Sequence, residues 1–117
     1  TMAAQGAIQG TVDAIASAAG LVVLTSGGNT RADQIVSGAR WLQLNLAATG
    51  AGLGVRPVSQ ALQEYPEMAA PYAAIHDAYA PAGGTVQMLG LLGYASATPR
   101  TPRWPLETRM RPTSNNA

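Results

Sequence analysis

The sequence predicts an α+β domain in which a long central helix packs on a small sheet. Three observations support this prediction: helical apolar spacing between Thr30 and Gly50, and two short apolar runs typical of strands, "LVVLTS" and "TVQMLGLLGYA". A length of 117 residues fits one domain with a single core, and a hydrophobic fraction of 47% is that of a globular protein.

The first predicted element is a helix over residues 2–18, where apolar side chains recur at helical spacing. Gly6 and Gly10 lie inside it, and each lowers helix stability by about 1 kcal/mol relative to alanine. Two interpretations are open: the helix is weak on its own, or the glycines allow close packing. The run "LVVLTS" follows and is predicted to be a buried strand, closed by Gly27 and Gly28.

The central helix has the strongest signals in the sequence. Thr30 is a suitable N-cap, and Asp33 completes a capping box and suits the positive end of the helix dipole. Two apolar stripes run along the helix, so we expect it to lie between its own sheet and a second surface. The first stripe comprises Ile35, Ala39, Leu42, Leu46 and Leu53, and the second comprises Trp41, Leu44, Ala48 and Ala51.

Shorter elements complete the predicted fold. The stretch "VRPVSQ" is extended because Pro57 disfavours helical backbone at Arg56. Residues 61–80 are mostly helical, and because Pro66 and Pro71 mark starts or kinks, we expect two pieces. In "TVQMLGLLGYA" both alternating faces are apolar, which predicts an interior strand.

Composition excludes several classes of function. The net charge of +1 is too small to favour binding to nucleic acid or to an anionic membrane. The absence of cysteine excludes disulfides, thiolate nucleophiles and cysteine metal sites. The apolar runs are too short to span a bilayer and the first residues lack the basic start of a signal peptide, so we expect a soluble, cytoplasmic chain.

The sequence shows no set of residues typical of an active site. The single histidine, His76, lies in a predicted helix without a second histidine or a glutamate at ligand spacing, which favours a structural role. The six carboxylates form no acid–base pair, and the serines lack a nucleophile elbow. We therefore predict no catalytic residue and no metal site, and any chemistry must come from a bound cofactor.

Three stretches of the chain, taken in order, carry a family resemblance. They are "ADQIVSGARWLQLNLAATGAGLGVRPVSQALQEYPEM", "VQMLGLLGYA" and "TPRTPRWPLE". Together, over roughly residues 20–108, they resemble the C-terminal half of the nitroreductase-like FMN-dependent oxidoreductases. In that family the long helix ends in a run of small residues, here Ala47 to Gly54, which leads into a segment lying against the flavin ring.

The resemblance implies a set of FMN-binding residues. Segment 57–60 matches the part that faces the isoalloxazine, where a backbone amide, of Ser59 or Gln60, would donate to the flavin N5. In the C-terminal "P-R-x-P" match, Arg103 would bind the FMN phosphate, with Arg100 as a second contact from the same stretch. The implied cofactor-binding residues are Pro57, Val58, Ser59, Gln60, Arg100 and Arg103.

Two departures from the family pattern affect the prediction. Leu91 stands where the most similar branch often carries arginine, and the family's N-terminal half has no counterpart here. We therefore expect residues 1–95 to form a C-terminal half-domain that must pair to close its core, and residues 96–117 to form an extended strap and tail. The additional apolar stripe of the central helix predicts a two-fold homodimer packed on that helix.

The C-terminal stretch "TPRTPRWPLETRMRP" admits three interpretations: a disordered tail, a basic arm for nucleic acid, or an ordered strap. Four arginines offset by one glutamate, on a chain of net charge +1, argue against nucleic acid. The prolines stiffen the chain, and Trp104 and Leu106 are suitable apolar anchors. We predict a strap that is ordered through Leu106, lies across the fold or its partner, and presents Arg103 to a phosphate.

The predicted function is therefore the C-terminal portion of an FMN-dependent oxidoreductase that takes hydride from NAD(P)H and reduces a small electron-poor substrate. We expect this portion to contribute to the flavin site and the dimer interface, and to be inactive alone. Two alternatives stay open: a flavin-binding or storage protein without turnover, and a ligand-free dimerisation module.

Overall fold

The computed structural model describes residues 2–94, 96 and 99–110, with only the backbone of residues 3 and 4. This part of the chain is α+β, with three α-helices and a three-stranded antiparallel sheet. The main elements are α1 (Met2–Ser17), β1 (Gly20–Ser26), α2 (Arg31–Gly50), β2 (Gly54–Pro57), α3 (Ala69–Tyr79) and β3 (Thr85–Gly93). Three short 3-10 turns cover Gln60–Leu62, Pro66–Met68 and Leu106–Thr108.

Helix α2 begins as its sequence predicts. The Thr30 hydroxyl accepts a hydrogen bond from the Asp33 N–H, and the Asp33 carboxylate accepts one from the Thr30 N–H at 2.9 Å, which completes the capping box. The Thr30 hydroxyl also donates to that carboxylate; this bond, together with the backbone one, lowers the pKa of Asp33. At the other end Ala51 caps the helix, and Gly52 adopts a φ of 73° that suits glycine.

The sheet has the order β1-β3-β2, so β3 is the interior strand, as predicted. Strand β1 was predicted to be buried, which is wrong, because β1 is an edge strand and its Leu21 side chain is exposed. The pairing of β1 with β3 shifts after Leu24, where Gln87 is the extra residue of a β-bulge.

Strand β2 forms the other edge of the sheet. The Val58 N–H donates to the Leu89 carbonyl at 3.0 Å, so pairing with β3 continues one residue beyond β2. Successive N–H groups of a strand point in opposite directions. Because the Val58 N–H points toward β3, the nitrogen of Pro57 points away from it, and no donor is needed there. Proline is therefore compatible with this edge.

Helix α2 packs on one face of the sheet, and α3 contacts β3 as well. The ring of Trp41 covers Gly90, where an added Cβ would lie 2.6 Å from Trp41 Cη2 and 3.4 Å from Val55 Cγ1. Glycine is thus the residue that lets the indole approach the central strand. The buried hydrophobic side chains of the described residues are few: Ala48, Val86, Leu89 and Leu91.

The two apolar stripes of α2 have different surroundings. Trp41 and Leu44 are half-buried and Ala48 is buried, so the stripe that contains them faces the sheet. The opposite stripe is open to solvent, with Ile35 65% and Leu46 65% exposed. The prediction of a helix with two apolar sides is confirmed, and one of the two sides is uncovered in the chain itself.

The region between β2 and β3 differs from its prediction. Instead of two helical pieces it holds two 3-10 turns followed by one helix, α3. Pro66 begins the second turn, but Pro71 lies in the first turn of α3. The N–H groups of a first helical turn have no partner within the helix, so proline is tolerated there and does not start a new element.

Helix α1 contributes little to the core. Ile8, Val12 and Ile15 of α1 are exposed, and no atom lies within 4 Å of a Cβ placed on Gly6 or Gly10. Among the described residues these glycines therefore meet no close-packed neighbour, and both interpretations stay open, since packing on a partner chain is untested.

The described part of the C-terminal strap, residues 99–110, has no regular secondary structure up to Pro105 and is exposed throughout. Trp104 and Leu106 are 71% and 67% exposed, so they do not anchor the strap on the chain's own core. Contact of these side chains with a partner chain stays a prediction. The fraying predicted after Arg109 falls mostly on residues 111–117, which lie outside the described residues.

Within the described part of the chain, no helix is both long and apolar enough to cross a membrane.

Candidate functional site

The segment predicted to face a flavin ring lies where β2 leaves the sheet. Pro57 is the last residue of β2. Val58 is half-buried, and its N–H donates to the Leu89 carbonyl. Ser59 is the N-cap of the 3-10 turn that begins at Gln60. The four residues thus run from an edge strand into a tight turn. Both carbonyls at the turn are engaged, since Ser59 accepts from the Leu62 N–H and Gln60 from the Gln63 N–H.

The amide N–H groups of this turn are available to a ligand. Within the described residues, neither the Ser59 nor the Gln60 N–H donates to a protein acceptor. Backbone donors normally find a partner in the protein or in solvent. Two adjacent unpaired donors beside an exposed proline can therefore receive an acceptor atom from outside the chain.

The two predicted phosphate ligands lie together in the strap. Arg100 and Arg103 line one concave surface of about 310 Å³ with Pro99 and Thr101. One guanidinium N–H of Arg103 donates to the Thr101 hydroxyl, which holds the side chain over this surface. Further along the strap, the Arg109 guanidinium lies 4.5 Å from the centroid of the Trp104 ring, a cation–π contact.

The ring segment and the phosphate arginines line no common cavity in the described residues. The concave surface in the strap involves only residues 99–103, and the larger cleft of the fold is lined by Arg56 but by none of residues 57–60. The structure therefore presents the six predicted residues as two groups. In the chain alone they do not form one enclosed site.

His76 has a structural role, as its sequence context predicted. Its Nε2 accepts from the Val86 N–H at 3.1 Å, so the ring proton is on Nδ1, which donates to the Tyr72 carbonyl at 2.9 Å. The imidazole also stacks on the Tyr72 ring with 4.0 Å between centroids. Both ring nitrogens are engaged in joining α3 to β3, so His76 has no free nitrogen for acid–base chemistry.

Gln87 forms a polar cluster that sequence reasoning missed. The side-chain amide of this bulge residue donates to the Ser26 hydroxyl at 2.8 Å and to the Asn29 side chain at 3.2 Å. Asn29 also accepts from Gln34, so the loop between β1 and α2 is held to the central strand. The available signal was a single amide in an otherwise apolar strand.

Arg56 is the second residue that sequence reasoning missed as a functional candidate. It pairs across the sheet with Leu91, the position where the resembling branch often has arginine. A cation is therefore present one strand away from the expected position. The register that brings Arg56 beside Leu91 is a long-range feature and cannot be read from local spacing.

No three histidine, aspartate or glutamate side chains of the described residues lie together as a metal site would require. No protein-family model, curated protein or solved structure matches the chain. The resemblance to nitroreductase-like proteins therefore rests on the three sequence stretches alone.

Proposed function

We propose that the chain is the C-terminal portion of an FMN-dependent NAD(P)H oxidoreductase with a nitroreductase-like fold. The observation that supports this proposal is the pair of unpaired amides at Ser59 and Gln60, in the segment where the resemblance requires a backbone donor to the flavin. The exposed arginine pair of the strap supports it from a second position.

The residues present fit FMN in chemical type. The flavin N5 is an acceptor in the oxidised ring, and the turn at Ser59–Gln60 offers N–H donors to it. The phosphate needs a charged donor with several N–H groups, which Arg103 offers with Arg100 beside it. FMN supplies the hydride chemistry, accepting from NAD(P)H and reducing an electron-poor substrate.

In this proposal the protein's own groups bind and orient. The amide of Ser59 or Gln60 donates to the ring and fixes its edge, while Pro57 and Val58 offer backbone and apolar surface to its plane. Arg103 and Arg100 hold the phosphate end. No side chain is assigned a proton-transfer step, since the one histidine is engaged in structural bonds.

A homodimer is part of the proposal. The solvent-facing stripe of α2 presents Ile35, Leu42 and Leu46, a contiguous apolar surface of the kind that marks interfaces. The same surface favours the second candidate function, a ligand-free dimerisation module. The two candidates differ in one respect: only the first requires flavin binding.

The decisive experiment compares FMN with riboflavin, which lacks the phosphate. Titration of the purified chain, followed by flavin fluorescence, should show Arg103→Ala weakening FMN by about 1.5–3 kcal/mol and riboflavin hardly at all, because a bond to a charged group is lost. Arg109→Ala is the matched control, since it removes a nearby arginine that stacks on Trp104.

Each other result has a clear meaning. Equal losses for both ligands would show that Arg103 only supports the fold. No binding of either flavin, with a stable dimer, would replace the proposal by the dimerisation module. A stable flavin complex whose absorbance NAD(P)H does not bleach, even when the N-terminal half of the fold is supplied, would indicate storage without turnover.

The ring contact is tested at the turn. Ser59→Ala should leave FMN affinity nearly unchanged, because the proposed donor is a backbone amide and not the hydroxyl. Gln60→Pro removes one of the two free N–H groups and should cost about 1–3 kcal/mol of binding if that amide is the donor. Loss of binding in Ser59→Ala with an intact circular dichroism spectrum would overturn the backbone assignment.

A further inference from the structure

The two edge strands of the sheet differ in the features that prevent further strand pairing. Short length, charged side chains and proline are usual means of protecting an edge. Strand β2 has all three, since it is four residues long and carries Arg56 and Pro57. Strand β1 is seven residues long, "GLVVLTS", and contains no charged residue and no proline. Its edge therefore lacks the protection that β2 has.

The sheet register shows which backbone groups of β1 point toward β3. The Val58 N–H donates to the Leu89 carbonyl, so the backbone polar groups of Leu89 face β2. Those of the next residue, Gly90, point in the opposite direction and face β1, where Gly90 pairs with Val22. The N–H and C=O of Val22 are therefore used in the pairing with β3.

The neighbours of Val22 present their backbone groups at the outer edge. By the alternation of a strand, the N–H and C=O of Leu21, Val23 and Thr25 point away from β3. Among the described residues, none of these three N–H groups donates to an acceptor outside the sheet. The Leu21 side chain is also 45% exposed beside its buried cross-strand partner, Leu91. A further strand would supply partners for this row of donors and acceptors and cover Leu21.

We propose that β1 pairs with β1 of a second copy of the chain, antiparallel and about a two-fold axis at Val23. Val23 then pairs with Val23 of the second copy, and Leu21 pairs with its Thr25, so all three outward residues find hydrogen-bond partners. The second copy fits this edge because the outward residues are symmetric about Val23 and the strand is uncharged. Two copies therefore place donors opposite acceptors without opposing like charges.

This contact is separate from the outward stripe of α2. It goes beyond the proposed function and does not depend on it, because no flavin contact lies on β1. The pairing is expected to be weak, since two strands that pair in isolation bury little apolar surface. It should therefore form at higher protein concentrations than a contact on the α2 stripe.

The test measures amide hydrogen exchange of the full chain by NMR at about 50 µM and about 1 mM. Exchange at Leu21 and Val23 should slow by about twofold or more at the higher concentration, because a second copy then protects these amides. The Val55 amide is the internal control, since it points outward from the β2 edge and should exchange at the same rate at both concentrations.

Three results would overturn the proposal. Rapid exchange of Leu21 and Val23 at both concentrations would show that the edge stays unpaired. Protection that does not change with concentration would show that a group of the same chain covers it. A similar slowing at Val55 would show general association and no specific pairing of β1.

A proline variant tests the same contact by removing one donor. Val23→Pro removes an outward N–H, and proline is tolerated at such edge positions, so the circular dichroism spectrum should be kept and the concentration dependence at Leu21 lost. Val22→Pro is the matched control, because it removes an N–H that faces β3 and should destabilise the sheet. If Leu21 exchange in Val23→Pro still slows at the higher concentration, the proposal is wrong. If Val23→Pro does not fold, the exchange rates of the parent chain decide.

Discussion

The two sides of α2 carry similar amounts of apolar side chain but have different surroundings. On one side Trp41 packs on Gly90 and Ala48 is only 7% exposed. On the other, Leu42 is 60% exposed, and Ile35 and Leu46 are each 65% exposed. One side of the helix therefore packs on the sheet as part of the core, and the other side is exposed to solvent.

This difference separates two kinds of hydrophobic pattern. The sheet-facing side stabilises the fold of the single chain, because its burial removes apolar area from water within that chain. The outward side contributes nothing of this kind until another surface covers it. Substitutions on the two sides should therefore change different measurements, which the following experiments use.

The largest expected effect is on the sheet-facing side. Trp41→Ala removes the ring that covers Gly90 and should lower the free energy of unfolding by about 2–3 kcal/mol, somewhat less than for a fully buried tryptophan because Trp41 is half-buried. Leu42→Ala, the next residue, should cost well under about 1 kcal/mol. Urea denaturation of the monomer, at protein concentrations too low for dimer formation, measures both free energies, and equal losses would contradict the assignment of the two sides.

A methyl group added at Gly90, on which the Trp41 ring packs, should have the next largest effect. Gly90→Ala places a Cβ 2.6 Å from Trp41 Cη2, so the ring or the strand must shift, at about 1–3 kcal/mol. Gly38→Ala in α2 meets nothing within 4 Å and should stabilise by about 0.5–1 kcal/mol, the helix preference for alanine. A neutral Gly90→Ala would show that the indole does not lie tightly on β3.

The third prediction concerns the N-cap, which fixes the residue at which α2 begins. Thr30→Ala removes the N-cap hydroxyl and should destabilise by about 1 kcal/mol at neutral pH. Because the pKa of Asp33 is lowered in the folded chain, its contribution is present above the ordinary value of 3.8 and is lost as the pH falls through the lowered pKa. As the pH falls from neutral to below 3.8, the variant should therefore lose less stability than the parent.

Thr11→Ala is the control for this experiment, since the Thr11 hydroxyl bonds the Ala7 carbonyl and caps nothing. Its acid profile, measured by urea unfolding at each pH, should match that of the parent chain. A Thr30→Ala profile that also matched the parent would exclude the hydroxyl as a cause of the lowered pKa.

Short-range sequence patterns predicted most of the helices and strands, but seldom which of their faces are buried or where a strand lies in the sheet. The capping box at Thr30 and the apolar alternation of β3 are short-range patterns, and both were read correctly. The edge position of β1 was not, because an apolar run of six residues looks the same whether one neighbour or two will pair with it. Likewise, because the two stripes of α2 are similarly apolar, the sequence does not show which of them faces the sheet.

The candidate site shows the same limit. The turn at Ser59 and Arg103 were proposed from the resemblance, and Arg100 from its place in the same strap. Their placement as two separate groups depends on how the exposed strap meets the fold or a partner, which no spacing records. Arg56 became a candidate only through its pairing with Leu91 across the sheet.

The smallest effect on the single chain is expected on the outward side of α2. Leu46→Glu replaces an exposed side chain by one of similar helix preference, so the unfolding free energy of the monomer should change by no more than about 0.5 kcal/mol. Association should change greatly, because a two-fold interface on this stripe would bring the two introduced carboxylates close together in an apolar contact. Light scattering at micromolar concentration should give a dimer for the parent and a monomer for this variant.

Ala47→Glu is the matched control, since it adds the same charge one residue away, where an exposed alanine points to another side of the helix. It should remain a dimer. A parent chain that is monomeric at micromolar concentration would refute the interface, and a dimer that survives Leu46→Glu would place the contact elsewhere. If Leu46→Glu instead unfolds the monomer, the outward stripe is part of the core, and the contrast between the two sides of α2 disappears.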